Sequence, residues 1–166
     1  MKDNLMRKVK IEKVVLSVSG VNEYLERGFK LLKFLTKEKP AKTFARKRIP
    51  SLGVRPGLEI GAVVTIRKNP EELLRKLLGA IENTLKKKQI SNNNFSFGIK
   101  EYIEIPGLEY QRDIGIMGLD VTVVFKRSGR RVGLRKIKKG KVPERQRIPK
   151  EEIIKFMEEN FKTVFK

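Results

Sequence analysis

Residues 119–125 read LDVTVVF, and the alternation in this stretch decides the fold. In an extended chain successive side chains point to opposite faces, so Leu119, Val121, Val123 and Phe125 share one side while Asp120, Thr122 and Val124 share the other. An apolar face opposite a mixed one suits a sheet covered on one side only. The same pattern recurs along the chain. In residues 9–19 (VKIEKVVLSVS), Val14, Leu16 and Val18 alternate with Val15, Ser17 and Ser19, and Gly20 ends the run. Phe95, Phe97 and Ile99 alternate with Ser96, Gly98 and Lys100, and Ile103 and Ile105 continue that segment. Residues 41–48 (AKTFARKR) read as a short basic strand and 62–67 (AVVTIR) as another. The intervening IPSLGVRPGLEIG is dense in Pro and Gly, so 41–67 becomes a hairpin with a long irregular loop.

Helical spacing fills the gaps. Asn22 is placed to cap a helix carrying Leu25, Phe29, Leu32 and Leu35, and Pro40 closes it. A second helix is expected from 70 to about 88. Asn69 would cap it, Pro70 would open it, Glu71 and Glu72 would favour its positive end, and Lys86, Lys87 and Lys88 its negative end. A third, at about 150–161, opens near Pro149 with Glu151 and Glu152 and is built on Ile153, Ile154, Met157 and Phe161. The order predicts a single α+β domain over 1–166: a mostly antiparallel sheet, helices packed on one face, and the other face open to a partner.

Charge narrows the function. Lys and Arg number 39 against 19 Asp and Glu, a net +20 in 166 residues with a pI near 10.3. Such a body is best neutralised by a polyanion, because each cation set against a phosphate releases a condensed counterion. A membrane is the rival anionic surface, but no apolar run approaches the roughly 20 residues a spanning helix needs. MKDNLMRKVKIEK lacks the apolar core of a signal peptide, so a soluble protein kept in the cytoplasm is expected. Without cysteine there is no disulfide, zinc knuckle or thiolate chemistry, and without histidine the usual general base is missing. With only Asp3, Asp113 and Asp120 as aspartates, and Glu mostly on helix faces or beside Lys, no carboxylate cluster suggests a nuclease. No enzyme, cofactor or metal is expected.

Between Lys126 and Lys150 lie twelve basic residues and one acid, Glu144. A solvated linker could carry such a run, but single-sign charge is better explained as an arm that threads between phosphates and orders on binding. Its cations include Arg127, Arg130, Arg131, Arg135, Lys136, Lys138, Lys139, Lys141, Arg145 and Arg147, interleaved with Gly129, Gly133 and Gly140. A second basic group holds Lys37, Lys39, Lys42, Arg46, Lys47 and Arg48. On a strand Lys42, Phe44, Arg46 and Arg48 would share a face, serving RNA or simply guarding an edge. NFSFGI invites comparison with sheets that stack aromatics on bases. It lacks the basic residue and Gly that precede the first aromatic there, and Phe95 and Phe97 read as core.

Four stretches in order, IEKVVLSVSGVNEYLERG, KPAKTFARKRIPSLGVRPGLEIGAVVTIR, NFSFGIKEYIEIPGLEY and IGIMGLDVTVVFKRSG, resemble the universal large-subunit ribosomal protein family five, which binds 5S rRNA. The resemblance spans roughly residues 7–161, and IPGLEY, GLD and the basic arm look like its archaeal and eukaryotic branch. It implies a structural constituent of the cytoplasmic ribosome, bound to 5S rRNA and other large-subunit rRNA in the central protuberance beside neighbouring ribosomal proteins. The 5S contact would fall on Ser17, Ser19, Lys42, Thr43, Arg46 and Lys47. A loop, Ser51 to Leu58, with Gly53, Val54, Arg55 and Gly57, would reach peptidyl-site tRNA. The family's first strand carries Asn and then Gly where Ser17 and Ser19 stand. The alternative is a free-standing basic nucleic-acid-binding protein of the chromatin type, which would bind duplex DNA about as well as RNA.

Overall fold

The structure, a computed structural model, describes residues 4–166. In chain order its elements are β1 (Lys10–Ser19), α1 (Glu23–Thr36), β2 (Ala41–Phe44), β3 (Glu59–Ile66), α2 (Pro70–Gly79), β4 (Thr84–Leu85), β5 (Ile90–Ser91), β6 (Asn94–Ile99), β7 (Leu119–Lys126), α3 (Arg131–Leu134), α4 (Lys150–Phe161) and β8 (Val164–Phe165). Six strands form one sheet in the order β2-β3-β1-β7-β6-β5, antiparallel at every pairing, while β4 and β8 make a separate parallel pair. The LDVTVVF stretch that pointed to a one-sided sheet is β7, beside the central β1.

One face of this sheet is the core. Val14, Leu16 and Val18 of β1, Ala62, Val64 and Ile66 of β3, and Val121, Val123 and Phe125 of β7 are buried together with Phe95 and Phe97. Leu31 and Leu32 of α1, Leu74 and Leu77 of α2, and Ile153 and Met157 of α4 pack into the same cluster. Phe125 meets Phe156 edge to face at 5.6 Å between ring centroids, seating α4 on the sheet. The α+β layering with helices on one face is therefore observed, and Phe95 and Phe97 are core side chains.

Four local expectations are corrected. The second helix stops at Gly79 instead of running to about 88. Glu82 and Asn83 take positive φ, and the Asn83 N–H returns to the Leu78 carbonyl at 3.0 Å, turning the chain into β4. Leu85 is buried as expected, but from a strand, and Lys86, Lys87 and Lys88 lie beyond any helix end. Asn22 and Asn69 precede their helices without a side-chain capping bond. Both sit at positive φ, where asparagine is tolerated better than most residues, and that tolerance explains their place at these corners. β6 ends at Ile99; Tyr102 to Glu104 form a 3-10 turn whose fully buried Tyr102 hydroxyl accepts the Gln111 N–H at 2.8 Å. β2 ends at Phe44 with a register shift after Thr43, so Lys42, Phe44, Arg46 and Arg48 do not continue along one strand face.

Candidate nucleic-acid interface

The face away from the helices is built from the second half of each alternation. Register places Ser17 between Val63 of β3 and Asp120 of β7, and Ser19 opposite Gly61. Gly61 is in turn opposite Thr43, so Ser19, Gly61 and Thr43 form one cross-strand row. A Cβ on Gly61 would stand 2.7 Å from Thr43 Oγ1, so glycine here admits the threonine hydroxyl into the row. Further along, Thr122 faces Val15 and Ser96, with the two hydroxyls 3.2 Å apart. The open face thus carries the hydroxyls of Ser17, Ser19, Thr43, Ser96 and Thr122 among Val15, Val63 and Asp120. Such hydroxyls can accept and donate hydrogen bonds to sugar and phosphate.

Three of the predicted residues, Ser17, Ser19 and Thr43, are brought together on this face. Lys42 is not. It stands opposite Ala62, a core-face position, and its ammonium donates to Glu59 at 2.7 Å, with both side chains about two-fifths exposed. An exposed pair of this kind is worth at most about 1 kcal/mol, so Lys42 can still exchange Glu59 for a phosphate. Arg46 and Lys47 lie past the end of β2 and are exposed. Between them and the strand, buried Ala45 fixes the hairpin: its N–H donates to the Leu58 carbonyl and its carbonyl accepts the Gly57 N–H.

The loop is preshaped. Ile49 and Val54 exchange two backbone bonds at 3.0 and 3.1 Å, closing a small turn over residues 50–53, and Gly53 and Gly57 take positive φ. The Val54 side chain is 6% exposed. The inward-facing valine anchors the loop, which leaves mainly its backbone open to a partner. Arg55 is exposed, and nothing lies within 4 Å of where a Cβ on Gly53 or Gly57 would stand.

The arm has more internal structure than its like charges suggest. It leaves the sheet after Lys126 and returns at fully buried Ile148, whose N–H and carbonyl both bond to Asn93. Arg127 donates to the Glu152 carboxylate and to the Arg145 carbonyl, and Arg130 donates to Glu12 at 3.0 Å. These ion pairs join the arm root to α4 and β1. They divide the predicted set: Arg127 and Arg130 are held inward, whereas Arg131, Arg135, Lys136, Lys138, Lys139, Lys141, Arg145 and Arg147 are exposed. Among the described residues no group of three or more acids is placed to hold a metal ion.

The sequence does not single out Tyr24, and it offers Phe44 only as a strand-face neighbour of Lys42. Tyr24 lies against Gly20 and lines a recess with Ser17, Ser19 and Asp120. Phe44, 57% exposed, projects from the edge strand just before Arg46 and Lys47. Both rings can stack on a base. The usable signal was local: an aromatic in a basic stretch, and an aromatic just after a strand-ending glycine.

A one-sided sheet with an open hydroxyl-bearing face, a basic hairpin end and a rooted cationic arm is an arrangement suited to binding nucleic acid. Residues 59–156 match the ribosomal L5P family C-terminus. The chain is 45% identical over 159 residues to large ribosomal subunit protein uL5 of Nanoarchaeum equitans, covering 93% of this chain and 94% of that protein. It is 43% identical over 165 residues to uL5 of Sulfolobus acidocaldarius, covering 96% and 92%. With uL5 of Archaeoglobus fulgidus the identity is 41% over 160 residues, covering 94% and 89%. The chain belongs to the ribosomal L5P family, in its archaeal-type branch, and is a ribosomal protein and not an enzyme.

Proposed function

We propose that the chain is a structural constituent of the large subunit of the cytoplasmic ribosome, that it binds 5S rRNA in the central protuberance, and that its Pro/Gly loop meets peptidyl-site tRNA. The observation that carries the 5S reading is the shared face of Ser17, Ser19 and Thr43, left bare by the helices and flanked by exposed Arg46 and Lys47. A row of hydroxyls can hydrogen-bond a sugar-phosphate backbone, and the adjacent cations supply counterion release. The loop reading rests on an exposed Arg55 on a turn that the Ile49–Val54 bridge holds in shape before any partner arrives. The arm cations would neutralise other large-subunit rRNA, with neighbouring ribosomal proteins around them. Co-sedimentation from lysate at rising salt tests this. The protein should travel with large subunits and, on stripping, with 5S rRNA; recovery on bulk DNA instead would support the chromatin-type alternative.

A further inference from the structure

We propose that the root of the arm is a discrete phosphate-binding pocket that seats one backbone phosphate of large-subunit rRNA. The inference rests on the ribosomal reading but concerns a site separate from the sheet face. A cavity of about 240 Å³ opens between the end of β7 and the returning arm, lined by Asn93, Lys126, Arg127, Arg130, Gln146 and Arg147 with an apolar wall from Leu134 and Val142. Four of these residues are cationic, two offer side-chain amides, and no Asp or Glu lines the cavity. The carboxylates paired with the arginines, Glu12, Glu144 and Glu152, all stand outside that lining.

Those carboxylates do more than cancel charge. Glu152 and the Arg145 carbonyl hold the two terminal nitrogens of Arg127, while Glu12 and the Phe125 carbonyl hold Arg130. Both guanidinium groups are therefore oriented before any ligand arrives, which lowers the entropy lost on binding. Arg127 Nε is buried and has no hydrogen-bond partner. An unmet donor on a charged group is costly, and a small shift toward an oxyanion in the cavity would satisfy it. Lys126 and Gln146 remain to meet the ligand directly, and Arg147 can join them by exchanging its exposed pair with Glu144. A nucleic-acid base would gain little from so many donors, whereas a phosphate accepts from several at once.

The test is a two-dimensional proton–nitrogen NMR titration of the full chain, following the Nε–H signals of Arg127 and Arg130 and the Gln146 amide. Inorganic phosphate is one ligand, hexauridylate supplies phosphodiesters, and chloride at matched ionic strength is the control. Saturable shifts on those three signals are expected with both phosphate sources and not with chloride. Lys126→Glu should raise both midpoints by about tenfold, the scale of one charge-assisted hydrogen bond. Lys126 is exposed and stands opposite Lys10, so this change does not threaten the fold. Arg147→Gln, also at an exposed side chain, should act in the same direction. Equal shifts with chloride, or shifts spread evenly over Arg131 and Arg135, would overturn the proposal. Saturation by inorganic phosphate alone would overturn the rRNA source. Because 5S affinity is read separately, failure here with intact 5S binding would leave the proposed function standing.

Discussion

Thr43 Oγ1 lies 2.7 Å, and the Val18 carbonyl oxygen 3.2 Å, from the point where a Cβ on Gly61 would stand. The threonine can rotate away, but the carbonyl belongs to the central strand and cannot. Gly61→Ala is therefore expected to cost about 1–3 kcal/mol, as overpacking does, and to push Thr43 out of its row with Ser19. Urea unfolding checks the first effect, and 5S affinity the second. An unchanged midpoint would mean that β2 yields freely at this edge.

The loop separates into an anchor and a contact. Val54→Ala should destabilise by about 1–2 kcal/mol, because it removes methyl groups from an almost fully buried site. Arg55→Ala should leave the melting temperature and 5S affinity near wild type while weakening peptidyl-site tRNA on reconstituted large subunits. If the Arg55 variant loses 5S affinity and tRNA binding is untouched, the loop belongs to the 5S interface.

The arm should show two kinetic regimes in the free protein. Amides bonded at the root, Ile148 and Arg147 among them, should exchange slowly, because Asn93, Glu12 and Glu152 hold that region. Residues 135–141, exposed apart from Gly140, should exchange at close to unfolded rates until RNA is added. Glu12→Gln should speed root exchange by loosening Arg130 without altering the tip. Uniform protection across the arm, or none at the root, would contradict this division.

How far the sequence carries is visible in these same residues. Period-two alternation made β1, β6 and β7 legible because one face is buried and the other is not. The helix over 70–88 misled because Leu85 keeps helical spacing to Leu78 and Ile81 while belonging to a strand; only Gly79 and Asn83 hinted at the stop. At the site, charge density exposed the arm, but pairing with Glu12 and Glu152 joins residues far apart in the chain and no local pattern reports it. Val54 shows the same limit: apolar residues in loops can point either way, and tertiary packing decides.

The proposed binding of 5S rRNA by the hairpin end and the open sheet face is decided by how its affinity depends on salt. Log affinity for 5S rRNA against log salt should fall steeply in the wild type and exceed affinity for duplex DNA throughout. In the Arg46→Ala/Lys47→Ala variant the slope should flatten by somewhat less than one for each phosphate left without its cation. Ser17→Ala/Ser19→Ala should weaken binding with the slope unchanged, since a hydroxyl releases no counterion. An unchanged slope in the double-cation variant, with duplex DNA binding as tightly as 5S rRNA, would contradict the account.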